Sequence, residues 1–195
     1  MKQTLLIITA LMLVVGCSES DAQRSRNIIV SDVIEYHDNE GIPKKIRVYD
    51  ISRDKVALTY EEIKFYRNGQ KREEGTFKDG EKDGVWTEWY DNGQKEKEVT
   101  YKDGKQDGKW TGWNENGEKR YEGTSKDGEL DGLSTAWYDN GQKSGEATFK
   151  DGELDGRETH WYENGQKRIE ETYKDGYRIS SKCWDEDGKE MDCPW

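Results

Sequence analysis

The sequence is poor in the residues on which catalytic sites and compact cores depend. Its 195 residues include only 2 His, 3 Cys and 2 Pro, and hydrophobic residues account for 31%. The two histidines, His37 and His160, are far apart in the chain, and no GxSxG, HExxH or phosphate-binding glycine motif occurs. Because a nucleophile needs a nearby base, the sequence predicts a protein that is not an enzyme and needs no cofactor.

The chain also lacks the ligand spacing of a metal site. Cys183 and Cys193 do not form a CxxC pair, and no histidine is near them in sequence. The repeated Asp-Gly-x-x-Asp-Gly segments lack the alternating ligands and the terminal Glu of an EF-hand loop. We therefore expect no metal site, and we interpret these segments as turns.

A basic surface is absent as well. The net charge of −11 repels nucleic acid phosphates, so we expect no nucleic acid partner. Charged residues reach 37%, which together with low hydrophobicity is typical of disorder. The 8 Trp and 11 Tyr recur at fixed spacing, however, and disordered chains are poor in aromatic residues. This combination indicates a thin, extended sheet rather than a globule with a thick core.

The chain begins with a targeting segment. Lys2 is followed by an apolar run, residues 5–15, that is too short to span a bilayer as a helix. Its end, Val14-Val15-Gly16-Cys17, resembles the lipobox of bacterial lipoproteins. This resemblance implies a signal peptide over residues 1–16, lipidation of Cys17 and anchoring in a bacterial envelope membrane. Because Ser18 follows the cysteine, it implies the outer membrane in a Gram-negative cell, and residues 17–27 are expected to form a flexible tether.

A 24-residue period organises the rest of the chain. The unit Val85 to Gly108, VWTEWYDNGQKEKEVTYKDGKQDG, recurs three times after its first copy, and a variant precedes it. The register is kept by an asparagine that is always followed by glycine, at Asn68, Asn92, Asn116, Asn140 and Asn164. A constant period of this length is the signature of a repeat architecture.

Each unit is predicted to be one β-hairpin with a connector. Trp86 to Tyr90 is rich in aromatic and β-branched residues, and Asn92-Gly93 is a strong signal for a two-residue type I′ turn. With such a turn, Trp89 shares one face with Thr87, whereas Lys95 falls on the other face with Tyr90. The two Asp-Gly pairs that follow are predicted to turn the chain into the next unit.

The fold class that follows is all-β: an extended, single-layer antiparallel sheet of tandem hairpin repeats. A lone hairpin is only marginally stable, so neighbouring units must stabilise one another. We expect five repeats over residues 61–180, a degenerate capping hairpin over residues 28–60 and a second one over residues 181–195, since terminal repeats are usually atypical.

Two sets of residues are singled out as sites. The first is a candidate binding row on one face, formed by Trp89, Trp113, Trp137 and Trp161. The second is Cys183 and Cys193, the two thiols that remain once Cys17 is lipidated. An envelope protein folds in an oxidising compartment, so we expect them to form a disulfide. The lysines and glutamates that recur at one position in each unit are interpreted as charge ladders that keep the sheet soluble.

The repeated pattern KDGxxDGxWxxWYxNGQKxxExTY resembles the MORN-repeat variant family, whose short units are single hairpins. The resemblance covers about residues 61–180. Members include proteins labelled as antitoxin components of bacterial toxin–antitoxin systems, which implies a protein partner such as a toxin and an immunity role in the envelope. The residues leave an alternative open, an envelope glycan-binding or membrane-associated scaffold, and they do not determine the oligomeric state.

Overall fold

The computed structural model describes residues 29–37, 43–50 and 59–193. In these ranges the protein is all-β, as the sequence predicted, and its strands form one antiparallel sheet. The predicted signal peptide, tether and Cys17 lie outside the described residues. No helix within the described ranges is long and apolar enough to cross a membrane.

Fifteen strands are described, and they follow one another along the chain. They are β1 (Ile29–Tyr36), β2 (Pro43–Asp50), β3 (Tyr60–Phe65), β4 (Lys71–Lys78), β5 (Glu81–Trp89), β6 (Lys95–Lys102), β7 (Lys105–Trp113), β8 (Lys119–Lys126), β9 (Glu129–Leu130), β10 (Gly132–Trp137), β11 (Lys143–Lys150), β12 (Glu153–Trp161), β13 (Lys167–Lys174), β14 (Tyr177–Trp184) and β15 (Glu190–Met191).

Nearly every strand pairs only with its neighbours in sequence. The order is β1 to β8 and then β10 to β15, while the short β9 pairs with β8 beside β10. The sheet is therefore an open meander with β1 and β15 at opposite ends. Because contacts are made almost entirely between successive strands, each unit is held by the units on either side of it.

The Asn-Gly turns differ from the prediction. Asp91, Asn92 and Gly93 form a three-residue loop, in which the amide of Gly93 donates to Tyr90 O (3.0 Å) and the amide of Tyr90 donates to Gln94 O (2.9 Å). Only Gly93 has a positive φ, 84°, whereas a type I′ turn would require one at Asn92 too. The Asn92 side chain instead accepts the amide of Gln94 (2.9 Å), which stabilises this loop without left-handed backbone at the asparagine.

The predicted type I′ geometry occurs at the first Asp-Gly pair of each connector. Asp103 and Gly104 have φ angles of 47° and 78°, and the flanking Lys102 and Lys105 pair with each other. The equivalent turns at Asp79, Asp127, Asp151 and Asp175 also have positive φ. Aspartate tolerates the left-handed region better than most residues do, so Asp-Gly meets the demand of this turn.

The second Asp-Gly pair is not a turn. Asp107 and Gly108 lie inside β7, where the single residue Thr100 of β6 faces three residues of β7. The φ of Gly108 is 122°, which a side chain rarely permits, so glycine accommodates this bulge. The sequence prediction that both Asp-Gly pairs turn the chain is therefore wrong for the second pair.

The buried aromatic residues lie on the face opposite Trp89. Trp86 is only 3% exposed and contacts Phe77 and Tyr101, with ring centroids 5.0 and 6.3 Å apart. Its ring lies directly over Gly75, where an added Cβ would come within 2.2 Å of the indole. The ring stack continues toward the N-terminal hairpin through Tyr60 and Tyr49.

The C-terminal hairpin contains the predicted disulfide, Cys183–Cys193. The loop between Asp185 and Lys189 has three residues, and with this loop length Cys183 pairs with Met191 across the hairpin. The disulfide therefore runs diagonally from Cys183 to Cys193. Cys183 is 3% exposed and Ser181 Oγ lies 3.1 Å from Cys193 Sγ. The bond thus ties the end of the described chain to the last long strand.

Candidate functional site

The predicted tryptophan row is present on one face of the sheet. Each ring follows a buried residue two positions earlier in its strand, as Trp89 follows Thr87, which is 6% exposed. The rings themselves are half-buried. We call the surface around Trp89, Trp113, Trp137 and Trp161 the tryptophan face; Trp184 extends the row at its C-terminal end. Trp184 occupies the same hairpin position in the last, irregular unit as the other tryptophans occupy in their units.

A lysine of the preceding unit lies over each tryptophan. Lys71 Nζ is 5.6 Å from the ring centroid of Trp89, and Lys95 Nζ is 5.7 Å from that of Trp113. The same arrangement joins Lys119 to Trp137, Lys143 to Trp161 and Lys167 to Trp184, each at 5.8 Å. These are cation–π distances. Adjacent units therefore share each element of the tryptophan face.

The position of Lys95 corrects the sequence prediction, which placed it on the opposite face with Tyr90. The three-residue loop makes Glu96 a bulge residue, so that Lys95 pairs with Trp89 instead of Tyr90. A change of one residue in strand register moves a side chain to the other face. The sequence contained the recurring lysine, but the loop length that orients it was not evident from the Asn-Gly signal.

Every lysine of this set is also paired with a glutamate of its own strand. Lys95 Nζ lies 2.5 Å from Glu98, Lys119 Nζ 2.8 Å from Glu122 and Lys167 Nζ 2.5 Å from Glu170. Lys71–Glu74 and Lys143–Glu146 complete the series. The tryptophan face is therefore a repeating pattern of aromatic ring, cation and carboxylate.

Two of these lysines lower the pKa of the glutamate they bind. The hydrogen bond from Lys119 holds the pKa of Glu122 below its ordinary value, although burial acts in the opposite direction. Lys167 lowers the pKa of Glu170 in the same way. Exposed pairs of this kind contribute only about 0–1 kcal/mol to folding. Their main effect is to hold the two charged side chains in position on the surface.

A ladder of tyrosine hydroxyls fixes the distance between neighbouring tryptophans. Tyr66 donates to Trp89 O (2.7 Å) and Tyr90 to Trp113 O (2.8 Å). Tyr138–Trp161 and Tyr162–Trp184 repeat the bond at 2.7 and 3.0 Å. Burial, followed by the charge of Glu96, raises the pKa of both Tyr66 and Tyr90, so their hydroxyls remain protonated donors.

The Asn-Gly loops of successive units are joined by a second ladder of hydrogen bonds. Asn92 Nδ2 donates to Glu115 O (3.0 Å), and equivalent bonds start from Asn68, Asn140 and Asn164 at 2.8 Å. At the other end of the strands, where the Asp-Gly turns lie, Gly104 N donates to Lys82 O (2.9 Å), and this bond also recurs in later units. Both rows of turns are thus linked from unit to unit, which holds the tryptophan face in a regular array.

The spacing of the row follows from the strand arrangement. Two strands separate equivalent tryptophans, and neighbouring strands lie about 4.8 Å apart, so the rings repeat at about 9.6 Å. Five tryptophans at this spacing extend over about 38 Å. An elongated ligand could contact several units at once, whereas a small molecule would contact one or two.

A buried charge cluster at the N-terminal end was not predicted from the sequence. Glu62 is 4% exposed and lies 2.8 Å from Lys45 Nζ and 3.2 Å from Arg47 Nε. These bonds join β2 to β3 and therefore attach the N-terminal hairpin to the repeats. The opposite charges were visible in the sequence, but only the strand register brings them together.

The two histidines have ordinary partners. His37 Nε2 lies 2.7 Å from Phe65 O, and His160 Nε2 lies 2.9 Å from Glu158 Oε1. Within the described ranges, no group of three or more His, Cys, Asp or Glu residues is arranged to hold a metal ion. The tryptophan face, which recurs along the repeats, is the candidate binding surface.

The fold and its repeated surface define a class of protein, the open β-sheet scaffold built from hairpin repeats. The MORN repeat variant model matches five successive segments, residues 61–79, 82–103, 106–127, 130–151 and 154–175, and the chain belongs to this family. The match indicates a repeat scaffold and no enzymatic family. Among proteins with curated descriptions, none matches the chain significantly.

Proposed function

We propose that the protein is a lipid-anchored scaffold of the bacterial envelope whose tryptophan face binds a protein partner. The observation that carries this proposal is the fivefold recurrence, from Trp89 to Trp184, of a half-buried tryptophan with a lysine over its ring and a glutamate beside the lysine. Tryptophan is among the residues that contribute most to protein interfaces, and ordered charges around it favour specificity. Anchoring through Cys17 rests on the lipobox resemblance.

The same geometry favours a protein partner over the glycan alternative. Sugars stack on open aromatic rings, but here a lysine ammonium group lies 5.6 to 5.8 Å from each ring centroid. A glycan would have to displace these lysines from both the ring and their glutamates. A protein can instead offer carboxylates to the lysines and basic groups to the glutamates while its apolar side chains contact the ring edges.

A pair of matched triple variants tests the binding surface. Lys95→Glu, Lys119→Glu and Lys143→Glu reverse three charges on the tryptophan face. Arg72→Glu, Arg120→Glu and Arg168→Glu form the control: they share one repeat position, are exposed, and change the net charge equally. Arg72 and Arg168 lie over Tyr66 and Tyr162 rather than over tryptophans.

The readout is capture of proteins from envelope extract on each immobilised variant, after circular dichroism has shown all three proteins to be folded. We expect a protein retained by the wild type and the arginine variant to be lost from the lysine variant. Equal retention by all three, or loss from the arginine variant alone, would contradict the proposal. Binding that survives protease treatment of the extract would favour the glycan alternative.

The partner we favour is a toxin against which the scaffold provides immunity, since the family resemblance includes proteins with antitoxin labels. The test is survival of cells that express a candidate toxin together with either the wild type or the lysine triple variant. Protection by the wild type and its loss in the variant would support the immunity role. Equal protection by both proteins would show that immunity does not depend on the lysines of the tryptophan face.

A further inference from the structure

The five Asn-Gly dipeptides lie in equivalent exposed loops, and the asparagine side chain is held in the same way in all but one of them. In each loop the asparagine Oδ1 accepts the main-chain amide two residues later. In four loops Nδ2 donates to a carbonyl oxygen of the next unit, and these bonds start from Asn68, Asn92, Asn140 and Asn164. Nδ2 of Asn116 instead donates to Glu118 Oε2 of its own loop, over 3.0 Å.

The loop around Asn116 differs from the others in two further links to the following unit. Asn114 replaces the tyrosine whose hydroxyl bonds to a tryptophan carbonyl in the other four units, and its Nδ2 donates to the Asp139 side chain. Glu118 replaces a glutamine. A Cβ added to the glycine of the next loop would meet that glutamine in the other four units, whereas one added to Gly141 would meet nothing within 4 Å. This loop is therefore the least restrained of the five.

We propose that Asn116 is a site of spontaneous deamidation, at which the chain converts an asparagine to aspartate and isoaspartate. The main-chain nitrogen of Gly117 forms a bond to Cγ of Asn116 and loses its proton. The bond from Cγ to Nδ2 breaks, and Nδ2 takes up that proton and leaves as ammonia. One water molecule then opens the five-membered succinimide ring at either of its carbonyl groups. Glycine hinders the ring closure least, because it has no side chain.

The fold restrains this reaction to a different extent in the five loops. Gly117 N donates to Asn114 O (2.9 Å) and Asn116 Oδ1 accepts the amide of Glu118 (3.0 Å), so the loop must open before the nitrogen can reach Cγ. The same two bonds must break in every loop, but in the other four the bond from Nδ2 to the next unit must break as well. Because one hydrogen bond of ordinary strength changes such an opening equilibrium severalfold, we expect Asn116 to react roughly tenfold faster than the other four asparagines.

The products change the loop in charge and in length. Either product adds a negative charge beside Glu115 and Glu118, and both lack the Nδ2 donor that now bonds to Glu118. Isoaspartate also inserts a methylene group into the main chain of the three-residue loop. The chain would therefore age first at one position in the middle of the array. This inference is independent of the proposed binding function, because the Asn116 side chain is not part of the tryptophan face.

The test is ageing of the purified full chain in warm, mildly alkaline buffer. The water of the buffer carries heavy oxygen, so that deamidation during the later digestion in ordinary water is not counted. Peptide mapping by mass spectrometry then gives the rate at each of the five asparagines and separates aspartate from isoaspartate. A second sample is aged in guanidinium chloride, where the chain is unfolded and only the local sequence distinguishes the five sites.

Two double variants exchange the features of neighbouring loops, and circular dichroism first shows that both are folded. Asn114→Tyr with Glu118→Gln gives the third loop the residues of the others and should slow the reaction at Asn116 about tenfold. Tyr90→Asn with Gln94→Glu should accelerate the reaction at Asn92 by a similar factor.

We expect Asn116 to react first in the folded wild type and the five rates to be similar in the unfolded chain. Equal rates at the five sites of the folded chain would overturn the proposal. It would also be overturned if Asn116 led by the same factor in the unfolded chain, since the local sequence rather than the missing contacts would then be the cause. An unchanged rate at Asn116 in the first variant, or at Asn92 in the second, would contradict it as well.

Discussion

The hydroxyl group of Tyr90 donates to the main-chain carbonyl oxygen of Trp113 over 2.8 Å and thereby joins two successive repeats. The bond is absent from the next unit, where Asn114 occupies the tyrosine position and its Nδ2 donates to Asp139 Oδ1 instead (3.0 Å). The ladder of tyrosine bonds is therefore interrupted once, in the middle of the array.

Restoring the ladder should stabilise the protein. We expect Asn114→Tyr to raise the free energy of unfolding by about 1 kcal/mol, because a new hydroxyl would reach Trp137 O, and Tyr90→Phe to lower it by a similar amount. Both changes are measured by urea unfolding followed through tryptophan fluorescence. A stabilisation by Asn114→Phe equal to that by Asn114→Tyr would assign the effect to ring burial rather than to the hydrogen bond.

Trp86 imposes a size limit on the residue beneath it. Gly75→Ala should destabilise the protein by roughly 1–3 kcal/mol, because the new Cβ would lie 2.2 Å from a ring that is only 3% exposed. Gly145→Ala is the control, since the nearest atom to its Cβ would be Nδ1 of the exposed His160 side chain, at 3.3 Å. Thermal unfolding of the two variants should differ clearly, and equal melting temperatures would contradict this account of the packing.

Tyr173 should be among the last tyrosines to ionise. Burial and the hydrogen bond to Glu171 raise its pKa to about 12. Because this pKa is raised, the stabilisation it represents is present below about pH 10 and is lost as the pH rises through about 12. Glu171→Gln removes the negative charge, so the pKa of Tyr173 should fall. Ultraviolet titration of phenolate formation, with Tyr173→Phe to assign the signal, measures it.

The same substitution should have a second effect in acid. Burial disfavours the charged form of Glu171, but hydrogen bonds from Arg178 and Tyr173 hold its pKa below the ordinary value. The stabilisation is therefore present above the ordinary carboxyl pKa, about 4.3, and is lost as the pH falls through the lower folded-state value. The difference in unfolding free energy between wild type and Glu171→Gln should shrink over that range. A difference that stays constant with pH would show that the charge of Glu171 is not the source of the stabilisation.

The C-terminal disulfide should act locally. For so short a loop the chain-entropy estimate is about 3 kcal/mol, and Cys193→Ser should release β15 from Cys183. Hydrogen exchange resolved by segment should increase in β15 and in the outer part of β14, with little change in β5 to β8. Reductant should reproduce the pattern in the wild type and have no effect on the variant; exchange that increases evenly along the chain would contradict a local role.

Membrane attachment depends, on our proposal, on one thiol. Cys17→Ser should leave the precursor uncleaved or move the protein to the soluble fraction, because the serine cannot accept the diacylglyceryl group of a lipoprotein. Detergent phase separation of cell extracts and the mass of the N-terminal peptide measure both outcomes. Cys193→Ser, which also replaces one cysteine, is the control and should remain in the membrane fraction. Unchanged partition of Cys17→Ser would exclude lipid anchoring at this residue.

The sequence determined the repeat architecture because its signals were local and periodic. The 24-residue period and the aromatic spacing predicted the open sheet and the tryptophan row, and the two remaining cysteines predicted the disulfide. The three-residue loop could not be predicted from Asn92 and Gly93 alone. An Asn-Gly dipeptide suits a type I′ turn, but it also suits a three-residue loop with glycine in the left-handed position. The resulting shift of one residue decided on which face Lys95 lies.

Other features were beyond the sequence for a different reason. The cation–π contacts and the tyrosine ladder join residues of successive units, and their geometry depends on how far each strand is offset from the next. The Glu62 cluster likewise requires the pairing of β2 with β3. A period indicates that units resemble one another, but it does not specify which atoms of one unit meet those of the next.

The hydrogen bonds that link turn to turn have a consequence at the level of the gene. Because the bonds that Asn92 and Gly104 make outside their own unit reach only the adjacent unit, a whole unit duplicated in frame would form the same junctions with its neighbours as the original does. Unequal recombination between such similar stretches of coding sequence could therefore lengthen or shorten the protein by complete hairpins. Natural variants that differ in repeat number would keep their folds and differ in the reach of the sheet.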